Sequence, residues 1–254
     1  MIFLKSVMLQ KYFFFVFCAS PNLIEMLTAL KPIFNDLFSL FFPKLCLGCQ
    51  EVLLLPKHCL CYRCEIALPP TYFHLLSENP MGDRMSTAPQ LKQLLSLYFF
   101  EPTGIIESML YALKYQGNKS VGVFFGRKLA AAMAASSAHF DGIIGVPLHP
   151  KRKRKRGYNQ VDIIGETAAK VLAIPYYNRA LSRTKNTPPL SKTKGERAVV
   201  LANAFTVKEV LPTGGHYLLL DDIYTTGATL NACAKMLLEE GCISLSIATV
   251  AYRN

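Results

Sequence analysis

The chain has 254 residues, with 28 Lys and Arg against 17 Asp and Glu, and a formal net charge of +11. Apolar residues make up 51 % and charged residues 18 %, which excludes a disordered chain, a collagen and a coiled coil. The charge is concentrated: Lys151, Arg152, Lys153, Arg154, Lys155 and Arg156 run consecutively and carry +6, leaving +5 for the rest of the chain.

No apolar run approaches the roughly 18–20 residues of a membrane span. Tyr12–Cys18 is a short apolar stretch behind Lys5 and Lys11, but no small-x-small cleavage pattern follows it. Residues 1–25 therefore read as an extension or a mis-called start ahead of Met26. Within 26–42, Phe34, Leu37, Phe38 and Phe41 recur at i, i+3, i+4 and i+7, which predicts an amphipathic helix packed on the protein. Its polar face lacks the Lys and Arg that membrane-surface helices use.

Eight cysteines stand at 18, 46, 49, 59, 61, 64, 233 and 242. Five of them crowd into Cys46–Cys64, which argues against a disulfide framework. Cys46-x2-Cys49 and Cys61-x2-Cys64, eleven residues apart, can place four thiolates around one structural zinc. His58 and Cys59 leave a register ambiguity, and Cys61 is preferred because it completes a second C-x2-C. A redox pair or unbound thiols are the alternatives. The reading is a four-cysteine zinc knuckle over 43–68, followed by a Pro-rich linker over 69–93.

From residue 94 onward strands and helices alternate. Strands are expected at Leu95–Phe100, Gly142–Val146, Pro175–Leu181, Tyr217–Leu220 and Ile243–Ala251. Helices are expected at Gly104–Tyr115, Lys119–Ala135, Asn159–Leu172, Glu196–Asn203 and Ala228–Glu240. This alternation predicts an α/β domain over 94–254 with a parallel sheet covered on both faces. Ligands in such sheets bind beyond the carboxyl ends of the strands, here after Val146 and after Leu220.

The stretch after Leu220 carries the most information. Asp221 and Asp222 end an apolar strand; Thr225, Thr226, Gly227, Ala228 and Thr229 follow and open a helix. Helix-start N–H groups and three hydroxyls suit a monophosphate. The two carboxylates sit about one sugar's length away and suit vicinal hydroxyls. Together they describe a ribose 5-phosphate site. A tight turn with one Thr as N-cap is the plainer alternative, and it accounts for only one of the threonines.

Asp221–Thr229 resembles the phosphoribosyl pyrophosphate signature of type I phosphoribosyltransferases. Val146-Pro-Leu-His-Pro-Lys-Arg, Arg156-Gly-Tyr-Asn-Gln160, Arg183–Leu190 with Arg197 and Asn203-Ala-Phe205, and the cysteine pairs together resemble the competence protein F (ComF) family over about residues 26–254. That resemblance implies a type I phosphoribosyltransferase-like sheet behind a small zinc-binding domain. It also implies phosphoribosyl pyrophosphate held with magnesium, and a cytoplasmic role with DNA-uptake machinery proteins in natural transformation.

By the same resemblance, Lys151, Arg152 and Arg156 lead the pyrophosphate contacts, and Asp221 and Asp222 are the catalytic candidates. Six cations exceed what a pyrophosphate needs, so some should face outward, as a solvated loop, towards single-stranded DNA, or as a localisation or membrane signal. Tyr158 is the expected base-stacking partner. His149 reads as a turn residue, with a general acid–base role as the alternative, and Arg183–Arg197 as a basic flap or an ordinary loop. The chain ends a few residues past its last strand, so no C-terminal acceptor hood is expected. A transferase with an unknown acceptor, a ligand-binding module working on DNA, and a nucleotide-salvage enzyme with no DNA role remain as alternatives.

Overall fold

The computed structural model describes residues 43–55, 57–85, 87–136, 138–183, 204–209, 211–239 and 244–254. The helix expected within 26–42, the helix expected over Glu196–Asn203 and the stretch from 184 to 203 lie outside the described residues. The chain divides into two compact units, residues 1–45 with 52–56, and residues 46–51 with 57–254. In the first, Leu45 and Val52 form an antiparallel bridge. The second holds all the elements named below.

It opens with the short helix α1 (Tyr62–Ile66) and reaches strand β1 (Leu91–Phe99) through three 3-10 turns. Phe73, Met81 and Met85 from this stretch are buried in the core. β1 begins four residues earlier than the apolar pattern suggests, because Leu91 pairs with Leu245 across an irregularity in the ladder. Helix α2 (Ile105–Tyr115) buries Ile106, Met109, Leu110 and Leu113 on one face. Helix α3 (Lys119–Ala135) matches its expected bounds.

Strand β2 (Gly142–Gly145) is followed at once by helix α4 (Pro150–Arg156), so the basic run is a helix and not a loop. Its ends explain why. The His149 ring nitrogen Nδ1 accepts from the Lys151 N–H, Pro150 supplies a preset φ at the first helical position, and Gly157 closes the helix at φ +81°. Helix α5 (Gln160–Leu172) starts at Asn159, whose side chain accepts from the Val161 N–H.

The strand expected at Pro175–Leu181 divides in two. β3 (Tyr176–Tyr177) joins the main sheet beside β2, whereas β4 (Leu181–Arg183) pairs antiparallel with β5 (Phe205–Val207). Strand β6 (His216–Tyr224) runs past Leu220, because Asp221, Ile223 and Tyr224 pair with Thr249, Ala251 and Tyr252 of β7 (Ser244–Tyr252). Helix α6 (Ala228–Glu239) connects these two strands.

The main sheet is parallel, in the order β1-β7-β6-β2-β3. Tyr217, Leu219, Leu245 and Ile247 join a core cluster closed by Leu230, Cys233, Ala234 and Leu237 of α6. Their neighbours Leu218, Leu220 and Ala248 are fully buried as well, so both faces of the sheet are covered. Each buried Leu or Ile contributes about 1.5–3 kcal/mol relative to exposure. This rigid sheet sets the carboxyl ends of β2 and β6 side by side, Gly145 opposite Leu220. Among the described residues no helix is long and apolar enough to cross a membrane.

Candidate functional site

The two carboxylates leave the sheet in different surroundings. Asp222 is buried; its Oδ2 lies 2.7 Å from Lys114 Nζ of α2 and accepts from Gln160 Nε2 at 2.6 Å. The Asp222 N–H donates to Asp221 Oδ1 at 2.8 Å. Burial, reinforced by the Asp222 charge, pushes the Asp221 carboxyl up to about 7. The pair is therefore asymmetric: one member is locked to a cation, and the other titrates near neutrality.

Gln160 links the pair to the basic helix. Its Oε1 accepts from the Arg156 guanidinium at 2.8 Å while its amide donates to Asp222. Arg152 and Arg156 stand four residues apart, so they share one face of α4; both are partly buried, and both line a cavity of about 240 Å³. The same cavity is lined by Lys114, Gln160, Arg183, Asp221, Asp222 and Thr229. Lys151, Lys153, Arg154 and Lys155 are exposed and do not line it. Burial, then the neighbouring Arg152 charge, lowers the Arg183 guanidinium from its ordinary range. Like charges held this close, beside two carboxylates, form a place for an anion with hydroxyl groups attached.

The threonine turn borders this cavity through Thr229. Thr225, Thr226, Gly227 and Ala228 shape the turn without lining the cavity. Gly227 adopts φ +71°, and a Cβ there would collide with the Tyr224 hydroxyl. Thr226 Oγ1 accepts from the Ala228 N–H at 3.4 Å. Arg84 donates to the carbonyls of Thr225 and Arg253, at 2.9 and 3.1 Å, and ties the turn to the end of the chain.

Beside the cavity, and sharing Pro147, Leu148, Asn159 and Arg183 with it, lies a larger groove of about 430 Å³. Asp162 is on its wall. Burial raises the Asp162 carboxyl, which accepts from the Tyr176 hydroxyl at 2.9 Å and from Asn159 Nδ2 at 3.1 Å. His149, read as a turn residue, is buried as the N-cap of α4. Tyr158 is partly buried, with its hydroxyl on the Leu113 carbonyl and Lys119 Nζ 5.7 Å from its ring centroid.

Lys114 was not among the residues expected from sequence. A lysine in the last turn of an amphipathic helix ordinarily reads as a solvated charge favoured by the helix dipole. Only the fold, by setting α2 beside β6, turns it inward.

The four cysteines form a separate cluster. The Sγ atoms of Cys46, Cys49, Cys61 and Cys64 all lie within 4.8 Å of one another, and Cys49 and Cys61 are 3.7 Å apart. Tetrahedral zinc with bonds of about 2.3 Å has sulfur–sulfur edges of about 3.8 Å, so the donor set fits the metal. Burial pushes the Cys46 thiol up, but the N–H groups of Cys61, Cys49 and Gly48 outweigh it and leave it at about 6. A Cβ on Gly48 would stand 2.7 Å from Cys64 Sγ. Cys59 is buried outside the four, with its thiol pushed by burial to about 11, so Cys61 completes the set.

Across 224 residues the chain is 28 % identical to competence protein F of Haemophilus influenzae, covering 82 % of this chain and 96 % of that one. It resembles the competence protein F family. DNA utilization protein YhgH of Escherichia coli K12 is 27 % identical, covering 81 % and 95 % of the two chains. Competence protein ComFC of Bacillus subtilis is 27 % identical, covering 74 % and 82 %. Each of these matches runs across most of both chains. No family model matches the chain. Solved structures with a similar course include adenine phosphoribosyltransferase from Saccharomyces cerevisiae, at 16 % identity and TM-score 0.36 over 56 % of this chain and 74 % of that one. The enzyme from Leishmania donovani gives 14 % and 0.35 over 68 % and 80 %.

Two outcomes are expected. The purified protein carries one zinc per chain by elemental analysis, and Cys61→Ser loses it together with several degrees of Tm; a metal-free wild-type protein of equal Tm contradicts the assignment. Asp221 binds its proton more tightly folded than unfolded, so its contribution is fully present below about pH 4 and is lost as pH rises through about 7. Asp221→Asn therefore exceeds wild type by a few kcal/mol in stability at pH 8, with the gap closing towards pH 4. A gap independent of pH, read from paired thermal melts, contradicts the shift.

Proposed function

We propose that the cavity between β2, β6 and α4 binds phosphoribosyl pyrophosphate, and that the protein uses this site while handling single-stranded DNA during uptake in the bacterial cytoplasm. The observation that carries the first half is the convergence of Asp221, Asp222, Arg152, Arg156 and Thr229 on one cavity of about 240 Å³. Asp221 accepts from the ribose hydroxyls. The turn Thr225–Thr229, which borders the cavity through Thr229, takes the 5-phosphate at that edge. Arg152 and Arg156 supply forked donors to the pyrophosphate. Lys114 and Gln160 hold Asp222 in place beside them. Asp221 would help to hold magnesium here, and the ion would supply positive charge to the bound pyrophosphate. The four-cysteine cluster would hold a structural zinc.

The DNA half rests on the resemblance to competence and DNA utilization proteins and on the outward cations of α4. A second reading, transfer of the phosphoribosyl group to an acceptor, is favoured by the groove of about 430 Å³ that shares a wall with the cavity. Pyrophosphate release in the presence of candidate amines and bases distinguishes a transferase from a binding module.

Titration calorimetry with phosphoribosyl pyrophosphate and magnesium tests the site. Wild type binds. Asp221→Ala and Arg156→Ala each weaken binding about 10–150-fold, the range of a lost charge-assisted hydrogen bond. Unchanged affinity in both variants contradicts the site.

A further inference from the structure

Two tyrosines on α2 have no place in the core. Tyr111 and Tyr115 stand four residues apart, on one face of the helix, while Ile106, Met109, Leu110 and Leu113 occupy the buried face. They are 55 % and 61 % exposed, and their ring centroids are 5.1 Å apart. The Arg156 guanidinium lies 5.1 Å from the Tyr115 ring centroid. Arg156 is also the last residue of α4, a helix only about 10 Å long. The exposed Lys151, Lys153, Arg154 and Lys155 are therefore within a few nucleotides' reach of the aromatic pair. Tyr158, the aromatic the sequence offers for stacking, is instead tied down by Leu113 and Lys119.

We infer that Tyr111 and Tyr115 form a base-stacking platform for single-stranded DNA whose phosphates follow the outer face of α4. This rests on the DNA reading above and gives it a location. Every base has a π-face, so a pair of exposed rings accepts any sequence. Arg156 over Tyr115 adds a cation to the tilted aromatic pair, and its bond to Gln160 leads on to Asp222. The cations supply the attraction to phosphates, which is independent of sequence and dependent on salt. In a duplex the bases are enclosed, so the platform discriminates against it.

Fluorescence anisotropy of the full chain with a labelled 20-residue thymidine strand, and with the same strand annealed to its complement, tests the inference across a salt series. Wild type prefers the single strand, with a log–log salt slope near about −3 for four cations. Tyr111→Ala weakens single-strand binding about 5–100-fold without changing the slope, while Tyr111→Phe retains affinity. The triple variant Lys151→Ala, Arg154→Ala, Lys155→Ala makes the slope shallower by about 2. Wild-type protein that binds no single strand overturns the DNA reading and the platform together. Single-strand binding that Tyr111→Ala leaves unchanged, or duplex binding of equal strength, overturns the platform alone. Phosphoribosyl pyrophosphate binding, measured on Tyr111→Ala as a folding control, stays at the wild-type value.

Discussion

The contact between Lys114 Nζ and Asp222 Oδ2, 2.7 Å long and largely out of solvent, binds the end of α2 to the carboxyl-terminal part of β6. A carboxylate this deep requires a cation and further donors, and it has both: Lys114, and the Gln160 amide. Gln160 has a single productive orientation, with its oxygen to Arg156 and its nitrogen to Asp222. Three elements, α2, α4 and α5, are thereby fixed around one strand by a chain of polar contacts. The asymmetry of the Asp pair follows. Asp222 is committed to Lys114 and Gln160, whereas Asp221 takes the Asp222 N–H on Oδ1, lines the cavity, and has its carboxyl raised by burial and by the neighbouring Asp222 charge.

The same network divides the basic run. In a helix, positions four apart point the same way, so Arg152 and Arg156 turn towards the cavity; the remaining four cations are exposed, with Lys153 at the edge of the neighbouring groove 4.0 Å from Asp162. The +6 of this run thus contains two populations, to which the proposed function gives different duties. The inward pair is partly buried and directional, which suits the proposed pyrophosphate recognition. The outward four are solvated and screened by salt, as contact with a nucleic-acid backbone requires.

Much of this fold is legible in the sequence because strand–helix alternation is written in local periodicity, as in Lys119–Ala135 and Gly142–Gly145. The Asp-Asp and threonine stretch is legible for the same reason: the groups concerned are neighbours in the chain. Three features are not. The helix at Pro150–Arg156 is apparent only through its caps, since six cations have no amphipathic period. The division of Pro175–Leu181 between two sheets depends on the partner β5, distant in sequence. Lys114 becomes part of the site only through a contact across more than a hundred residues, which no local pattern carries. The cysteine cluster shows the opposite case, because spacing alone selects Cys61 over Cys59.

The central claim is that Lys114 and Asp222 act as one unit. A double-mutant cycle of Lys114→Met and Asp222→Asn, read by urea denaturation at pH 8, measures this directly. Each single change should cost about 3–5 kcal/mol by removing the opposite charge from a largely buried partner, while the double variant should recover part of the loss. A coupling energy above about 1.5 kcal/mol is the predicted result; additivity within about 0.5 kcal/mol would contradict the account.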